Sequence, residues 1–304
     1  MTRISTFGAS QSALLDLMRA QQSLFQAQQE LSTGKKATDL KGVGYQAETL
    51  AASRGALARS EAYEEASVRA ATRLEAQDVA LERLSGAVGE LRSAMTSKDG
   101  TFMMQEVSDA FYGAINALNS QHLGAYMFGG TRDDTIPMTV SSLSELAALP
   151  DVADAFQNNS LAPTVQVDEN STITVGRLAD EIATDIMASF KRIAEFAAGP
   201  NGPFSDPMTD AQQSFVVGEL QNIVAAQDGI IAVVGMNGVA QSQIESSLQA
   251  QRDQQDFLTG MISDIEDVDM AEAATRFQSA QNALDVSAKT FASLTEVSLL
   301  NFLR

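Results

Sequence analysis

The sequence predicts a mainly α-helical protein, in which the N- and C-terminal regions form a long antiparallel helical bundle or coiled coil around a small α+β insert. All six prolines lie between Pro137 and Pro207, and because a proline inside a helix costs about 3 kcal/mol, the proline-free ends permit very long helices. Apolar residues recur at both ends with alternating spacings of three and four, which is typical of a coiled-coil seam. Aromatic residues make up only 6% of the chain against 44% hydrophobic residues, which favours thin helical seams over a thick globular core.

The first helix is predicted from a seam near the N-terminus. Its apolar positions are Leu14, Leu17, Leu24 and Leu31, and glutamines occupy two positions between them. The helix is expected to end at residues 32–34, because Gly34 suits a left-handed C-terminal cap. Residues 35–46 show no periodicity and are predicted to form a loop with local turns.

Two further helices follow. The second is predicted from about Ala47 to Thr96, with a seam in its later half at Leu74, Leu81, Leu84, Val88, Leu91 and Met95. The third restarts the pattern at Met104 and is expected to close near residues 122–124.

The middle of the chain breaks the helical pattern. β-Branched residues at 164–167 and 172–175 flank Asp168-Glu169-Asn170, which predicts a β-hairpin. The insert is too short for a large core of its own and should pack on the helices. Helices are expected again at 178–197 and from Thr209 to the end. Within the latter, residues 229–238 would also suit a short buried strand, and helix is favoured because both flanks are helical.

The last helix has the clearest seam. It comprises Met270, Ala273, Phe277, Ala280, Leu284, Phe291 and Leu294, and the terminal stretch adds Leu299 and Leu300. The expected partner is the N-terminal seam, which would bring the two chain ends side by side. Three domains are predicted: 1–46 with 258–304 as a terminal coiled coil, 47–130 with 178–257 as a helical bundle, and 131–177 as a small β-containing insert.

Composition narrows the function classes. The chain has no Cys and one His, which argues against thiol nucleophiles, disulfides and Cys/His zinc sites. Its net charge is −19, so binding to a nucleic-acid phosphate backbone is disfavoured. No apolar run approaches the roughly 20 residues that span a bilayer, and the N-terminus carries no secretory signal, so membrane insertion is not expected.

Two short motifs have simple structural interpretations. Gly42, Gly44 and Ala47 match the letters of a dinucleotide-binding loop, but no buried strand precedes them, so a turn leading into a helix is predicted. Ser32 to Lys35 matches S-x-x-K without the companion motifs of that acyl-transfer site, so a helix cap followed by solvated lysines is predicted.

Acidic residues 264–269 lack the glycine and the final glutamate of a calcium loop, so Asp267 or Asp269 is expected to cap the next helix. His122 is expected beside a helix end, in a favourable dipole contact. No catalytic residue, cofactor site or metal site is predicted, and the chain is not expected to be an enzyme.

Four motifs carry a family resemblance. They are Arg3-Ile4-Ser5-Thr6, the run from Leu31 to Lys36, the run from Ala125 to Gly130, and Asp267 to Ala273 continued through residues 299–303. The identity and the order of these motifs, at both ends of the chain, resemble those of the flagellin superfamily. The resemblance is closest to the members at the junction of hook and filament.

The resemblance implies a structural protein that is exported unfolded by the flagellar type III apparatus and assembled outside the cell. The implied partners are other copies of itself, flagellin, the preceding hook-associated protein, and a cytoplasmic export chaperone on the C-terminal seam. Two alternatives remain at this point: a minor flagellin of the filament itself, and, from a different class, an intracellular coiled-coil scaffold.

Overall fold

A computed structural model describes residues 2–37, 39, 41–97 and 100–302, with side chains described from residue 8 to residue 295 of these. These residues form seven α-helices and two antiparallel strand pairs, which confirms the mainly α-helical prediction. The helices are α1 (Thr2–Thr33), α2 (Ala47–Thr96), α3 (Gly100–Leu118), α4 (Leu143–Ala148), α5 (Ala179–Ala198), α6 (Asp210–Glu266) and α7 (Met270–Phe302). The strands are β1 (Gln121–His122), β2 (Ala125–Tyr126), β3 (Thr164–Asp168) and β4 (Ser171–Thr174).

Several predicted boundaries are confirmed. Gly34 has a φ of +68° and follows the last residue of α1, as a C-terminal cap requires. Gly44, with a φ of +64°, begins a short 3₁₀ turn over Gly44–Gln46 that leads directly into α2. Residues 229–238 lie inside α6, so the helical interpretation of that segment is confirmed.

The end of the third helix differs from the prediction. α3 ends at Leu118, and His122 lies instead in β1, opposite Ala125 of β2. The expected contact between His122 and a helix dipole is therefore wrong. Gly124, with a φ of +84°, permits a tight turn six residues beyond the end of the helix, which the helical period alone does not reveal.

The chain divides into two compact units. One contains residues up to Arg59 together with residues from Gln254 onward, and the other contains Ser60–Asp253. The predicted domain boundaries, near residues 46 and 257, therefore differ from the boundaries between the two units, which follow Arg59 and Asp253. The predicted insert, 131–177, lies within the second unit.

The second unit has an extended apolar core, to which α2, α3, α5 and α6 all contribute. Phe111 of α3 and Phe190 of α5 are fully buried, and their rings meet edge to face with centroids 5.2 Å apart. Met138 and Leu146 of the insert are buried in the same core. A smaller cluster packs the β3–β4 hairpin against α2 and α6 through Leu74, Val167, Ile173 and Ile244. The insert therefore shares its core with the helices, as predicted from its size.

The buried positions of α6 follow a heptad with polar residues at intervals. Gln212, Glu219, Asn237 and Gln251 are all buried between apolar positions. Gln251 accepts a hydrogen bond from Ser60 Oγ at 2.6 Å and donates to Val167 O at 2.9 Å, and Asn237 donates to Leu74 O at 3.1 Å. Such buried polar pairs select one register of a helix against its neighbours, because any slip leaves them without partners.

α6 also contains an 18-residue window with a mean hydropathy of 1.5, long and apolar enough by composition to cross a membrane. Ile223, Ile230 and Val233 of α6 are buried in the core of the second unit, but only 33% of the window is buried. The window contains polar residues, so it is not an uninterrupted apolar run and was not predicted from one.

Candidate assembly site in the terminal helical pair

α1 and α7 pack against each other in antiparallel directions. Glu30 near the end of α1 contacts Arg276 near the start of α7, with Arg276 Nη1 donating to Glu30 Oε2 at 3.1 Å. A groove of about 500 Å³ lies between the helices and is lined in part by the small side chains of Ser23, Ala27, Ser279, Ala280 and Ala283. The prediction that the two chain ends lie side by side is confirmed.

The α1 side of this pair alternates alanine with leucine. Ala13, Ala20 and Ala27 are buried, and Leu17, Leu24 and Leu31 lie half-buried between them. The spacing from 13 to 31 is an unbroken 4,3 heptad. The three alanines were not predicted in the seam, because leucine is the more hydrophobic residue and the leucine spacing places Leu14, Gln21 and Gln28 there instead.

The α7 side repeats the same alternation. Ala273 and Ala280 are buried, while Phe277, Leu284, Phe291 and Leu294 are half-buried. Alanine opposite a larger residue lets two helix backbones approach closely while each large side chain still fills space. The matching 4,3 spacing of positions 273 to 294 is the signal from which the alanines of α1 could have been found.

The structure places two predicted seam residues differently and leaves two others untested. Leu14 is 43% exposed and Met270 is 51% exposed, so neither is buried between α1 and α7. Leu299 and Leu300 lie within α7, and their side chains fall outside the described residues. The remaining predicted seam residues with described side chains are buried or half-buried.

A polar clamp joins the loop after α1 to the turn between α6 and α7. Val268 N donates to Gly34 O at 2.9 Å and Lys36 N donates to Glu266 O at 2.6 Å, so the two segments form a short antiparallel bridge. Lys36 Nζ also donates to Asp264 O at 2.7 Å. We use "polar clamp" for these backbone contacts together with the ion pairs of Lys35, Arg54, Glu266 and Asp267.

The ion pairs of the polar clamp converge on a buried carboxylate. Glu266 is 5% exposed, and its two oxygens face Lys35 Nζ, at 2.9 Å, and the guanidinium of Arg54. Lys35 also lies 2.8 Å from Asp267. Lys35 is thus only partly solvated, and its ion pairs were not predicted because its carboxylate partners lie more than 230 positions away in sequence, beyond the reach of local patterns.

These contacts change the protonation behaviour of the clamp. Hydrogen bonds to Asp267 and then Glu266 raise the pKa of Lys35. Hydrogen bonds from Lys35 and Ser263 lower the pKa of Asp267. Each group is therefore held more firmly in its charged form.

The acidic residues around the turn have structural roles. Asp269 Oδ1 accepts hydrogen bonds from Ala271 N at 2.8 Å and Glu272 N at 3.3 Å, which confirms that it caps α7. Among the described residues, no group of three or more His, Cys, Asp or Glu side chains is arranged to hold a metal ion. The turn connects α6 to α7.

Comparison with known protein families gives a match for the C-terminal part of the chain. Residues 220–303, which include most of α6 and all of α7, match the family model of the bacterial flagellin C-terminal helical region. The C-terminal part of this chain is thus similar to the C-terminal helical region of bacterial flagellin. Comparison with curated proteins gives no match.

Two solved structures resemble the fold of this chain. A protein of Vibrio parahaemolyticus assigned as a flagellar hook-associated protein superposes with a TM-score of 0.59 at 16% identity, over 73% of this chain and 97% of that one. FlgL of Bacillus cereus superposes with a TM-score of 0.55 at 16% identity, over 70% of this chain and 99% of that one. The chain has the fold of these flagellar hook-associated proteins.

Proposed function

We propose that this protein is a structural, non-enzymatic component of the bacterial flagellum, and that it acts as an adaptor at the junction between hook and filament. The observation that carries the proposal is the exposed apolar surface of the terminal helical pair. Phe25 is 66% exposed, Met18 58% and Val286 64%, in addition to Leu14 and Met270. Together with the flagellin C-terminal region and the hook-associated fold, this surface supports a role in assembly.

The physical reason is that two helices bury only one stripe each. α1 buries its alanine and leucine heptad against α7, while Leu14, Met18 and Phe25 form a second apolar stripe that is exposed in the described structure. Apolar stripes of this kind typically mark interaction surfaces. The proposed covers are neighbouring copies of the chain, flagellin on one side and the preceding hook-associated protein on the other.

The same helices are proposed to interact before assembly. The chain would be exported unfolded by the flagellar type III apparatus, with a cytoplasmic chaperone bound to α7 through Phe277, Leu284, Phe291, Leu294 and their neighbours. A chaperone that covers these residues would keep their apolar side chains from aggregating in the cytoplasm. The final location would be extracellular, in the flagellum.

The first experiment tests the exposed stripe with matched variants. Phe25→Asp and Ser12→Asp each add one negative charge at an exposed position of α1, and only Phe25 belongs to the stripe. In cells that lack the wild-type protein, we expect Ser12→Asp to restore attached filaments, and Phe25→Asp to leave flagellin in the medium. Equal thermal unfolding of the two purified variants checks that the difference arises in assembly. Normal filaments with Phe25→Asp would contradict the proposal.

The second experiment separates the junction role from its alternatives. The sequence contains no cysteine, so Asn170→Cys, in the turn between β3 and β4, provides a single site for a thiol-reactive dye. A junction protein gives one fluorescent spot at the base of each filament. Label along the whole filament would instead indicate a minor flagellin, and label found only inside the cell would indicate an intracellular scaffold.

A further inference from the structure

The hairpin formed by β1 and β2 carries an unusual residue at its tip. His122 pairs with Ala125, so Leu123 and Gly124 form a two-residue turn, with φ values of +52° and +84°. A turn with positive φ at both positions favours Asn-Gly or Asp-Gly. A branched apolar residue in this conformation is strained, and Leu123 is also 94% exposed. A leucine at this position is therefore unfavourable, because its φ is positive and because its apolar side chain is exposed to water. Backbone outliers of this kind occur preferentially at functional sites.

An apolar pocket lies beside this tip. Its volume is about 350 Å³, and its lining includes Leu123, Ala70 of α2, Pro163, Val165 of β3, and Val175. All of these residues belong to the second compact unit. The exposed leucine therefore stands next to a pocket that could receive an apolar side chain.

Two arginines of α2 also line this pocket. Arg73 donates from Nη2 to Met127 O at 3.1 Å, while its buried Nε has no hydrogen-bond partner. Arg69 is largely exposed and pairs with Glu65 at 2.5 Å, and Asp133 acts on Arg73 electrostatically. In a chain with a net charge of −19, two adjacent arginines favour an occupant that brings carboxylates.

A surface with that chemistry occurs on α3. Phe102 is 64% exposed and Tyr112 48%, and the exposed carboxylates of Glu106 and Asp109 lie between them. These positions fall on one side of the helix, opposite the buried residues Met103, Val107 and Phe111. We call this side the acidic–aromatic face of α3. It combines large apolar side chains with two negative charges.

We propose that the pocket beside Leu123 receives the acidic–aromatic face of α3 from a second copy of this chain. The ring of Phe102 would fill the apolar pocket, and Glu106 and Asp109, one and two turns further along α3, would approach Arg69 and Arg73. Because the two surfaces differ, the contact is heterologous and can be repeated from subunit to subunit into a ring or helix. The inference rests on the proposed role in assembly, and names a surface outside the terminal helical pair.

Engineered cysteines test this contact, since the chain has none of its own. One copy carries Thr164→Cys, which lines the pocket, and an affinity-tagged copy carries Gln105→Cys beside Glu106. The control for the pocket copy is Gln166→Cys, an exposed position on the same strand that does not line the pocket. Under mild oxidation at high protein concentration, we expect about tenfold more mixed disulfide dimer than with the control, which corresponds to about 1.4 kcal/mol.

Charge exchange makes the test specific. Arg69→Glu in the pocket copy, or Glu106→Arg in the α3 copy, should each lower the yield of mixed dimer, and combining the two should restore it. A yield equal to that of the Gln166→Cys control, or no restoration in the double exchange, would overturn the proposal. The Phe25→Asp experiment is unaffected by that failure, because it tests the terminal helices and not this pocket.

Discussion

The buried carboxylate of the polar clamp gives the most direct test of how the ends of the protein are held together. Glu266→Gln keeps the shape of the side chain and removes its charge. In the native protein, that charge faces Lys35 at 2.9 Å and the guanidinium of Arg54. The variant leaves Arg54 without its carboxylate, while Lys35 keeps Asp267 at 2.8 Å.

The expected size of the effect follows from the exposure of the partners. Breaking a fully buried ion pair costs about 3–5 kcal/mol, because the remaining charge is desolvated. Here the side chains of Lys35 and Arg54 are 40% and 55% exposed, so water can solvate both cations. We therefore expect Glu266→Gln to lower the local stability by about 1–2 kcal/mol, the range of a charge-assisted hydrogen bond with partial solvent screening.

Amide hydrogen exchange is a suitable assay, because it measures local opening directly. Lys36 N and Val268 N donate the backbone hydrogen bonds of the clamp, and a loss of 1–2 kcal/mol should speed their exchange by roughly 5- to 30-fold. Glu272→Gln is the control, since Glu272 is 66% exposed and forms only a surface pair with Arg276. Equal exchange rates of Lys36 N and Val268 N in the two variants would show that the charge of Glu266 does not stabilise the clamp.

Four further predictions concern stability. The ion pair of Lys35 and Asp267 should stabilise the clamp fully between the ordinary Asp pKa of about 3.9 and the ordinary Lys pKa of about 10.4. This contribution should be lost as the pH falls through the lowered pKa of Asp267, or as it rises through the raised pKa of Lys35. Measurements of the unfolding free energy against pH would show both losses. Phe111→Ala should destabilise the second unit by about 3–5 kcal/mol in urea unfolding, since the ring is fully buried; a loss below about 1 kcal/mol would contradict its central place in the core. Gly235→Ala should stabilise α6 by about 0.5–1 kcal/mol, because an added Cβ meets no atom within 4 Å; a lower melting temperature would show that the site is crowded. Leu123→Gly should raise stability by about 1 kcal/mol through relief of backbone strain, while it lowers the yield of the pocket cross-link; unchanged cross-linking would separate the strain from the proposed contact.

Much of the fold was predictable because its signals are local. Prolines confined to 137–207 and the 4,3 spacing of apolar residues predict long helices, since both act through the geometry of a single helix. The cap at Gly34, the β3–β4 hairpin and the break near residue 267 also depend on neighbouring residues only. Each of these features appears in the structure close to its predicted position.

The candidate site was predicted less completely. The pairing of α1 with α7 followed from the two seams, but the choice of Leu14 over Ala13 could not be resolved from apolar character alone. A leucine outranks an alanine in any hydrophobicity pattern, whereas close approach of two backbones selects the smaller residue. The structure buries Ala13, Ala20 and Ala27 and leaves Leu14 43% exposed.

By itself, the sequence determined the helical class, the long helices and the β3–β4 hairpin, because helix period, capping and proline placement act over a few residues. The pairing of α1 with α7 followed from the matching seams of the two helices. Only the tertiary structure decided which residues lie between α1 and α7, that Glu266 binds Lys35 and Arg54, and that an exposed leucine lies beside an apolar pocket. These features join residues that are tens to hundreds of positions apart. Their energies depend on distance and burial in three dimensions, which no local pattern encodes.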